Sequence, residues 1–171
     1  GTADKLAAHR HPARLHRAFS VFVCDGDGRL LLQRRAASKY HFAGLWSNAC
    51  CSHPRPGEAV LDAARRRLRE EIGVTATSLT AAGTFRYRAE DARSGLVEHE
   101  LDHVVVARTP RDHDPQLDPD EADAYLWVDL ATLQRYLDDG AFEVTPWFRP
   151  ALAVAPGGGW PASDPTGGER G

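Results

Sequence analysis

The sequence lacks a long hydrophobic run. No apolar stretch approaches the roughly 18 residues of a membrane-spanning helix, and residues 1–19 lack the apolar central segment of a secretory signal. Internal repeats are also absent, so a repeat architecture is not expected. We therefore expect a cytoplasmic protein that has no membrane span.

Cysteines are few, and the charge is nearly balanced. The three cysteines, Cys24, Cys50 and Cys51, do not have the spacing of a disulfide scaffold, and a bridge between the adjacent pair would be strained. We expect free thiols in a reducing compartment. The net charge of −3 gives no general attraction to nucleic acid, and no nucleic-acid-binding motif is present. A small molecule is the expected partner, and a monomer is favoured.

The length and the hydrophobic fraction suit one domain. With 171 residues, 42% of them hydrophobic, the chain is long enough to bury a proper core. From residue 156 onward glycine and proline dominate, a composition typical of an unpacked tail. We expect a single domain over residues 1–155 and a mobile Pro/Gly-rich tail over residues 156–171.

Strand-like and helical patterns alternate along the domain. Residues 16–24 and 29–35 predict a β-hairpin around an Asp-Gly-Asp-Gly turn. Further predicted strands cover residues 45–51, 77–89, 96–109 and 122–128, and predicted helices begin near Glu58, after Asp129 as N-cap, and at Thr145 with Pro146 in the first turn. The first of these helices ends at Gly73. These elements predict the α/β class, with a mixed β-sheet and helices on its faces.

The stretch from Trp46 to Val74 concentrates reactive side chains. It contains the thiol of Cys51, the imidazole of His53, and a helix on which Arg67 and Glu71 share one face. A phosphate on the arginine and a metal ion on the glutamate would then meet at one point. The alternative is a solvated amphipathic helix with ion pairs between neighbouring turns. Only the adjacent thiol and histidine weigh against this alternative.

Two carboxylates and three histidines form a candidate metal site. Glu98 and Glu100 are separated by one residue on a predicted strand, so both point to one sheet face, where like charges need a cation or a proton. With His9, His16 and His53 they offer nitrogen and oxygen donors that suit Mg²⁺, Mn²⁺ or Zn²⁺. From spacing alone, an exposed strand face is an equally good interpretation. The remaining histidines are interpreted as ordinary surface residues: His11, His41, His99, His103 and His113.

Several segments in a shared order resemble a known family. They are KLAAHRHPARLHRAFS, LLQRRAASK, GLWSNACCSHP, RLREEIGV, FRYRAE, GLVEHEL and TPWF. Together they resemble the type I isopentenyl-diphosphate isomerases, which are built on the Nudix fold, and the resemblance covers the chain from residue 1 to about residue 153. It implies a Nudix-type α/β/α sandwich with a mixed β-sheet.

The Nudix box, G-x5-E-x7-R-E-U-x-E-E-x-G-U, can be laid over residues 52–74. The matching residues are Glu58, Arg66, Leu68, Glu70, Glu71, Gly73 and Val74. Ser52 stands in place of the first glycine, and Arg67 replaces the first glutamate of the R-E-U segment. A guanidinium in place of a carboxylate removes a metal ligand and adds a bidentate phosphate donor. Hydrolysis should suffer while diphosphate binding improves, and the isomerase family is similar in having lost the hydrolytic pattern.

The resemblance implies two cation sites and a basic cluster. The first metal ion, Mg²⁺, Mn²⁺ or Zn²⁺, would be held by His9, His16, His53, Glu98 and Glu100. A Mg²⁺ that arrives with the diphosphate would be held by Glu71. The basic residues around that diphosphate would be Lys5, Arg35, Lys39 and Arg67. Without the resemblance, each of them would be interpreted as a surface charge.

The resemblance also implies the groups that act on the hydrocarbon. Glu100, hydrogen-bonded to Tyr87, would protonate the alkene, and Cys51, as a thiolate on the opposite side, would take a proton from the neighbouring carbon. Trp147 would stabilise a tertiary carbocation through its aromatic face. Cys24 and Cys50 are expected to be buried and inert.

These roles imply an isomerase that interconverts isopentenyl and dimethylallyl diphosphate in isoprenoid biosynthesis. Two alternatives remain open at this point. The first is a Nudix hydrolase of a nucleoside diphosphate derivative, which should have a carboxylate in place of Arg67 and no thiol in the pocket. The second is a non-catalytic diphosphate-binding module, which would keep its function in a Cys51→Ala variant.

Overall fold

A computed structural model describes residues 4–110 and 114–158. Its strands are β1 (His16–Cys24), β2 (Leu30–Arg35), β3 (Trp46–Asn48), β4 (Cys50–Ser52), β5 (Ser78–Glu90), β6 (Val97–Arg108) and β7 (Ala122–Val128). Its helices are α1 (Lys5–His9), α2 (Val60–Ile72), α3 (Leu130–Asp138) and α4 (Phe148–Val154), with a 3-10 turn at Ala155–Gly158. Among these residues, no helix has both the length and the apolar character of a membrane span.

The strands form one mixed sheet with helices on both faces. β1 is parallel to β6 and antiparallel to β2 and β4, and β5 is antiparallel to β6. On one face Phe19 and Val21 pack with the buried side of α2. On the other face Phe22 packs with buried residues of α3 and α4. The α/β class, the hairpin of β1 and β2, and the antiparallel pair of β5 and β6 are therefore confirmed.

β1 and β2 separate soon after their connecting turn. Their register consists of Val23 opposite Leu31 and Cys24 opposite Leu30. In the gap beyond, β3 pairs with β2, and β4 pairs with β1. The prediction of one strand over residues 45–51 is therefore wrong, because the segment changes partner at Ala49. This change brings Cys51 opposite Ser20 on β1.

Helix α2 packs through one apolar stripe and ends at a glycine. Ala63, Ala64, Leu68 and Ile72 are buried on its inner face. Gly73 has a φ of 65° and terminates the helix, as predicted, with its N–H donating to the carbonyl of Arg69. The predicted start at Glu58 is two residues too early. The Glu58 carboxylate instead accepts hydrogen bonds from the Arg55 N–H and from Arg66, which closes the turn before the helix.

Two terminal segments differ from their predictions. Thr145 does not cap α4, because its hydroxyl pairs with Ser47 at 3.0 Å and the helix begins at Phe148. Helix α1 is not predicted by the sequence analysis; Asp4 caps it by accepting from the Ala7 N–H at 3.0 Å. Its last residue, His9, is almost completely buried.

The 3-10 turn lies against the sheet. A Cβ at Gly157 would approach the Ala82 carbonyl oxygen to 2.4 Å, so only glycine fits this contact. Part of the predicted tail, residues 156–158, therefore belongs to a turn that packs on β5. Residues 159–171 lie outside the described part, and the domain boundary at residue 155 stays a prediction.

Candidate active site

One cavity opens on the face of the sheet where β1 and β2 separate. Its charged, sulfur and aromatic lining residues are Phe19, Arg35, Lys39, His41, Cys51, His53, Arg67, Tyr87, Glu98, Glu100, Asp102, Glu121 and Trp147. They come from β1, β2, β4, β5, β6 and α2, and from the segments before α2, β3, β7 and α4. The four predicted catalytic residues, Cys51, Tyr87, Glu100 and Trp147, all line this cavity.

Five donor residues converge at one end of the cavity. His9, His16, His53, Glu98 and Glu100 each offer a ligand atom, and these atoms all lie within 4.8 Å of one another. They come from α1, β1, the turn after β4, and β6. His16 is the register partner of Glu100 across the parallel pair of β1 and β6, which explains why these distant residues meet.

The distances inside this donor cluster are those of groups facing a common point. His53 Nε2 lies 2.8 Å and His16 Nε2 lies 3.3 Å from Glu100 Oε1. The two imidazole nitrogens are themselves 3.1 Å apart. His16 Nδ1 lies 2.7 Å from the carbonyl oxygen of Arg14, which directs Nε2 into the cluster. Imidazole and carboxylate groups so arranged fit a divalent cation.

Glu98 lies between two histidines, one beside each carboxylate oxygen. His41 Nε2 lies 2.5 Å from Oε1, and His9 Nε2 lies 3.0 Å from Oε2. Burial alone would raise the pKa of Glu98, but the contacts from His41 and His9 outweigh it and hold the pKa below its usual value. Glu98 is therefore ionised at neutral pH. His41, interpreted from the sequence as a surface residue, is buried instead.

The basic residues meet at a carboxylate that the sequence analysis missed. Glu121 accepts from Lys39 Nζ at 2.6 Å and from Arg67 Nη2 at 2.9 Å. Arg67 also lies 2.6 Å from Glu71 and 2.8 Å from Glu70. Burial alone would lower the pKa of Arg67, but these carboxylates outweigh it and raise the pKa above its usual value. Arg67 therefore remains a cation.

The three remaining predicted binding residues are Glu71, Arg35 and Lys5. Glu71 is 2% exposed and pairs with Arg67, and it belongs neither to the donor cluster nor to the described cavity lining. Arg35 donates to the carbonyls of His41 and Phe42, each at 3.1 Å, and lies 5.4 Å above the Trp147 ring. The side chain of Lys5 lies outside the described residues, so its role stays a prediction.

The sulfur of Cys51 lies in a hydrogen-bonded pocket. Its thiol donates to Asn48 Oδ1 at 3.1 Å, and Trp147 Nε1 donates to the sulfur at 2.9 Å. Asn48 Nδ2 donates to the carbonyls of Val21 and Cys50, which fixes Oδ1 as the acceptor. Burial raises the pKa of Cys51 to about 12, which favours the protonated thiol.

The other two cysteines are in the core. Cys50 pairs with Val21 and packs with α2, and Cys24 packs with the α3 and α4 side. Burial raises the pKa of Cys24 to about 11 and that of Cys50 well above its usual value. Neither thiol reaches the cavity.

Glu100 has one oxygen in the donor cluster and the other in a separate hydrogen bond. Its Oε2 accepts from the Tyr87 hydroxyl at 2.7 Å. Asp102 lies two residues further on the same strand face and accepts from Ser20 Oγ at 2.7 Å. Burial raises the pKa of Asp102 to about 7. The period of two that relates Glu98 to Glu100 would have identified Asp102 as well.

Comparisons with known proteins agree on one family. A model of the NUDIX domain matches residues 14–148. An isopentenyl-diphosphate Delta-isomerase of Halorhodospira halophila is 48% identical over 94% of this chain and 90% of its own length. Isopentenyl-diphosphate Delta-isomerase 2 of Aromatoleum aromaticum is 59% identical over 78% of this chain and 68% of its own.

A solved structure agrees with the fold. A MutT NUDIX hydrolase from Burkholderia pseudomallei superposes with a TM-score of 0.63 at 25% identity, over 82% of this chain and 98% of its own. The hydrolase is thus much more distant in sequence than the isomerases. The similarity supports the architecture derived from the sheet and the helices.

Proposed function

Because this chain belongs to the isopentenyl-diphosphate Delta-isomerases of the NUDIX family, we propose that the cavity beside β1 is where it interconverts isopentenyl and dimethylallyl diphosphate. The observation that carries this assignment is that Cys51 and Glu100 line one cavity together with the basic residues Lys39 and Arg67. Arg67 also argues against hydrolysis, since it stands where the Nudix box has a carboxylate. We propose that the enzyme works in the cytoplasm, as a monomer, in isoprenoid biosynthesis.

The diphosphate headgroup is proposed to bind at the basic end of the cavity. Lys39 and Arg67 lie at this end with Glu121 between them, and Arg35 adds a third cation, which is buried. Charge-assisted and bidentate contacts of this kind hold phosphate groups tightly. Glu71, paired with Arg67, is the proposed ligand of a Mg²⁺ that enters with the diphosphate, and Lys5 the proposed fourth cation.

The donor cluster is proposed to hold a second divalent ion, Mn²⁺, Mg²⁺ or Zn²⁺. When bound, such an ion would offset the negative charges of Glu98 and Glu100. It would also make the protonated carboxyl group of Glu100 a stronger acid. The protein's own part is to hold one oxygen of Glu100 by the Tyr87 hydroxyl, while the other oxygen lies in the donor cluster beside His53. The carboxyl group is thereby aimed at one place in the cavity.

Isomerisation needs one proton added to the alkene and one removed from the allylic carbon, through a tertiary carbocation. Glu100 is the proposed donor and Cys51 the proposed acceptor. The cation forms next to the Trp147 ring, whose face stabilises positive charge without reacting with it. The buried aromatic wall of Phe42 and Trp147, with ring centroids 5.4 Å apart, excludes water from this place.

Cys51 must lose its own proton before it can accept one. Burial raises the pKa of the thiol, so a nearby base must take its proton first. A route for the proton runs through Ser20, whose oxygen lies 3.6 Å from the sulfur and which donates to Asp102. Transfer of the thiol proton to Ser20, and of the Ser20 proton to Asp102, leaves a thiolate that the Trp147 N–H stabilises.

Deuterium exchange tests the proposed function. The purified protein is incubated with isopentenyl diphosphate, Mg²⁺ and Mn²⁺ in deuterated water, and the products are analysed by NMR and by a phosphate assay. We expect deuterium to enter the isoprenoid while the diphosphate stays intact. Phosphate release without exchange would overturn the assignment and favour the hydrolase alternative. Binding with neither reaction would favour the non-catalytic module.

Removal of divalent ions is expected to abolish turnover and to lower the melting temperature. The donor residues come from α1, β1, the turn after β4, and β6, so a bound ion ties four segments together. Differential scanning calorimetry before and after chelation, with metal content verified, measures the shift. Readdition of Mn²⁺ should restore both properties. An unchanged melting curve after complete metal removal would contradict the proposed tie.

A further inference from the structure

We propose that His41 is a positioning residue that fixes Glu98 as a metal ligand; this inference rests on the proposed metal site. His41 Nε2 lies 2.5 Å from Glu98 Oε1. Both side chains are buried, with 7% of His41 and 3% of Glu98 exposed. The other oxygen of Glu98 faces the donor cluster, 3.0 Å from His9 Nε2. His41 therefore holds the oxygen that does not face His9.

The proton of the His41 ring belongs on Nε2. Its Nδ1 is buried and has no hydrogen-bond partner within residues 4–110 and 114–158. A proton on Nδ1 would be buried without an acceptor, whereas a proton on Nε2 is donated to a carboxylate. The neutral ring thus engages one lone pair of Glu98 and leaves the second oxygen for a cation. This is the usual arrangement of a residue that orients a metal ligand without binding the metal itself.

The side chains of Arg35 and Asp91 hold the backbone of the loop around His41. Arg35 donates to the carbonyl oxygens of His41 and Phe42, each at 3.1 Å. The Phe42 N–H donates to Asp91 Oδ2 at 3.3 Å, which ties the loop to the end of β5. A side chain on a loop fixed in this way can orient its partner rather than follow it. His41 is not one of the five residues of the donor cluster, so its effect on a metal ion must pass through Glu98.

The test compares metal affinity of the metal-free protein and of two variants at position 41. Mn²⁺ binding is measured by competition with a chromophoric chelator, without substrate. His41→Phe keeps the ring size and loses the donor, so its dissociation constant should rise by about 10- to 100-fold. His41→Gln places an amide N–H near the position of Nε2 and should recover most of the affinity. Circular dichroism and melting of the metal-free forms verify that each variant folds.

A matched control and three contrary outcomes complete the test. His103 lies on the opposite face of β6, and His103→Phe should bind Mn²⁺ as the wild type does. Unchanged affinity in a folded His41→Phe protein would overturn the inference and leave the metal site intact. Equal and complete loss in His41→Phe, His41→Gln and Glu98→Gln would also overturn it, because His41 would then be a direct ligand. A wild type that binds no Mn²⁺ would contradict both the inference and the proposed metal site.

Discussion

Replacing Glu100 with glutamine is expected to lower kcat by about 10³-fold. The amide keeps the size of the side chain and an oxygen that can face His16 and His53. It cannot carry the proton that isomerisation adds to the alkene. The loss should therefore appear in kcat, while the KM of a diphosphate held by Lys39 and Arg67 changes little.

The measurement is steady-state isomerase kinetics together with the rate of deuterium incorporation. Mn²⁺ affinity is measured in parallel, so that loss of the ion is not mistaken for loss of proton transfer. Glu143→Gln is the matched control, because Glu143 is exposed and far along the chain from the donor cluster. A Glu100→Gln enzyme that kept more than a tenth of the wild-type kcat would exclude Glu100 as the proton carrier.

Cys51→Ala is expected to abolish exchange at the allylic carbon and to lower kcat by about 10²- to 10⁴-fold. The adjacent Cys50 provides the comparison, because neighbouring residues of β4 point to opposite faces of the sheet. Cys51 pairs with Ser20 beside the cavity, and Cys50 pairs with Val21 against α2. Cys50→Ala should therefore keep its activity and lose about 1 kcal/mol of unfolding free energy through a small cavity.

Kinetics and urea denaturation of the two variants separate these effects. Inorganic diphosphate binding to Cys51→Ala should match the wild type, since the hydrogen bonds of the sulfur go to Asn48 and Trp147 and not to Lys39 or Arg67. Substantial isomerase activity in Cys51→Ala would exclude Cys51 as the proton acceptor. Loss of activity in a stably folded Cys50→Ala protein would show that the two thiols had been assigned to the wrong faces.

Local patterns predict much of the fold. The turn at residues 25–28 fixes the hairpin, and Gly73 ends α2, because both depend on neighbours in the chain. The break at Ala49 depends instead on which strand lies beside each half of the segment, and the sequence of residues 45–51 does not contain that information. The helix at Lys5–His9 is also set by its packing rather than by a strong local pattern.

The candidate site is predictable only in part, for a similar reason. The alternation in β6 predicts that Glu98 and Glu100 share a face, and the family resemblance supplies the partners from other elements. Glu121 could not be found this way, since it lies 82 residues from Lys39 and 54 from Arg67 in the chain. His41 was set aside because a single histidine in a loop gives no ligand spacing; only the folded loop brings it to Glu98.

The position of Glu121 between Lys39 and Arg67 has a consequence for how tightly any headgroup can be held. Glu121 already gives the two cations an anionic partner, so an arriving diphosphate replaces one set of ion pairs with another. The net gain is the difference between the two sets, and it is smaller than the attraction of unpaired charges. On departure of the product, Glu121 is at hand to reclaim both cations. A reversible grip of this kind suits an enzyme whose substrate and product carry the same headgroup.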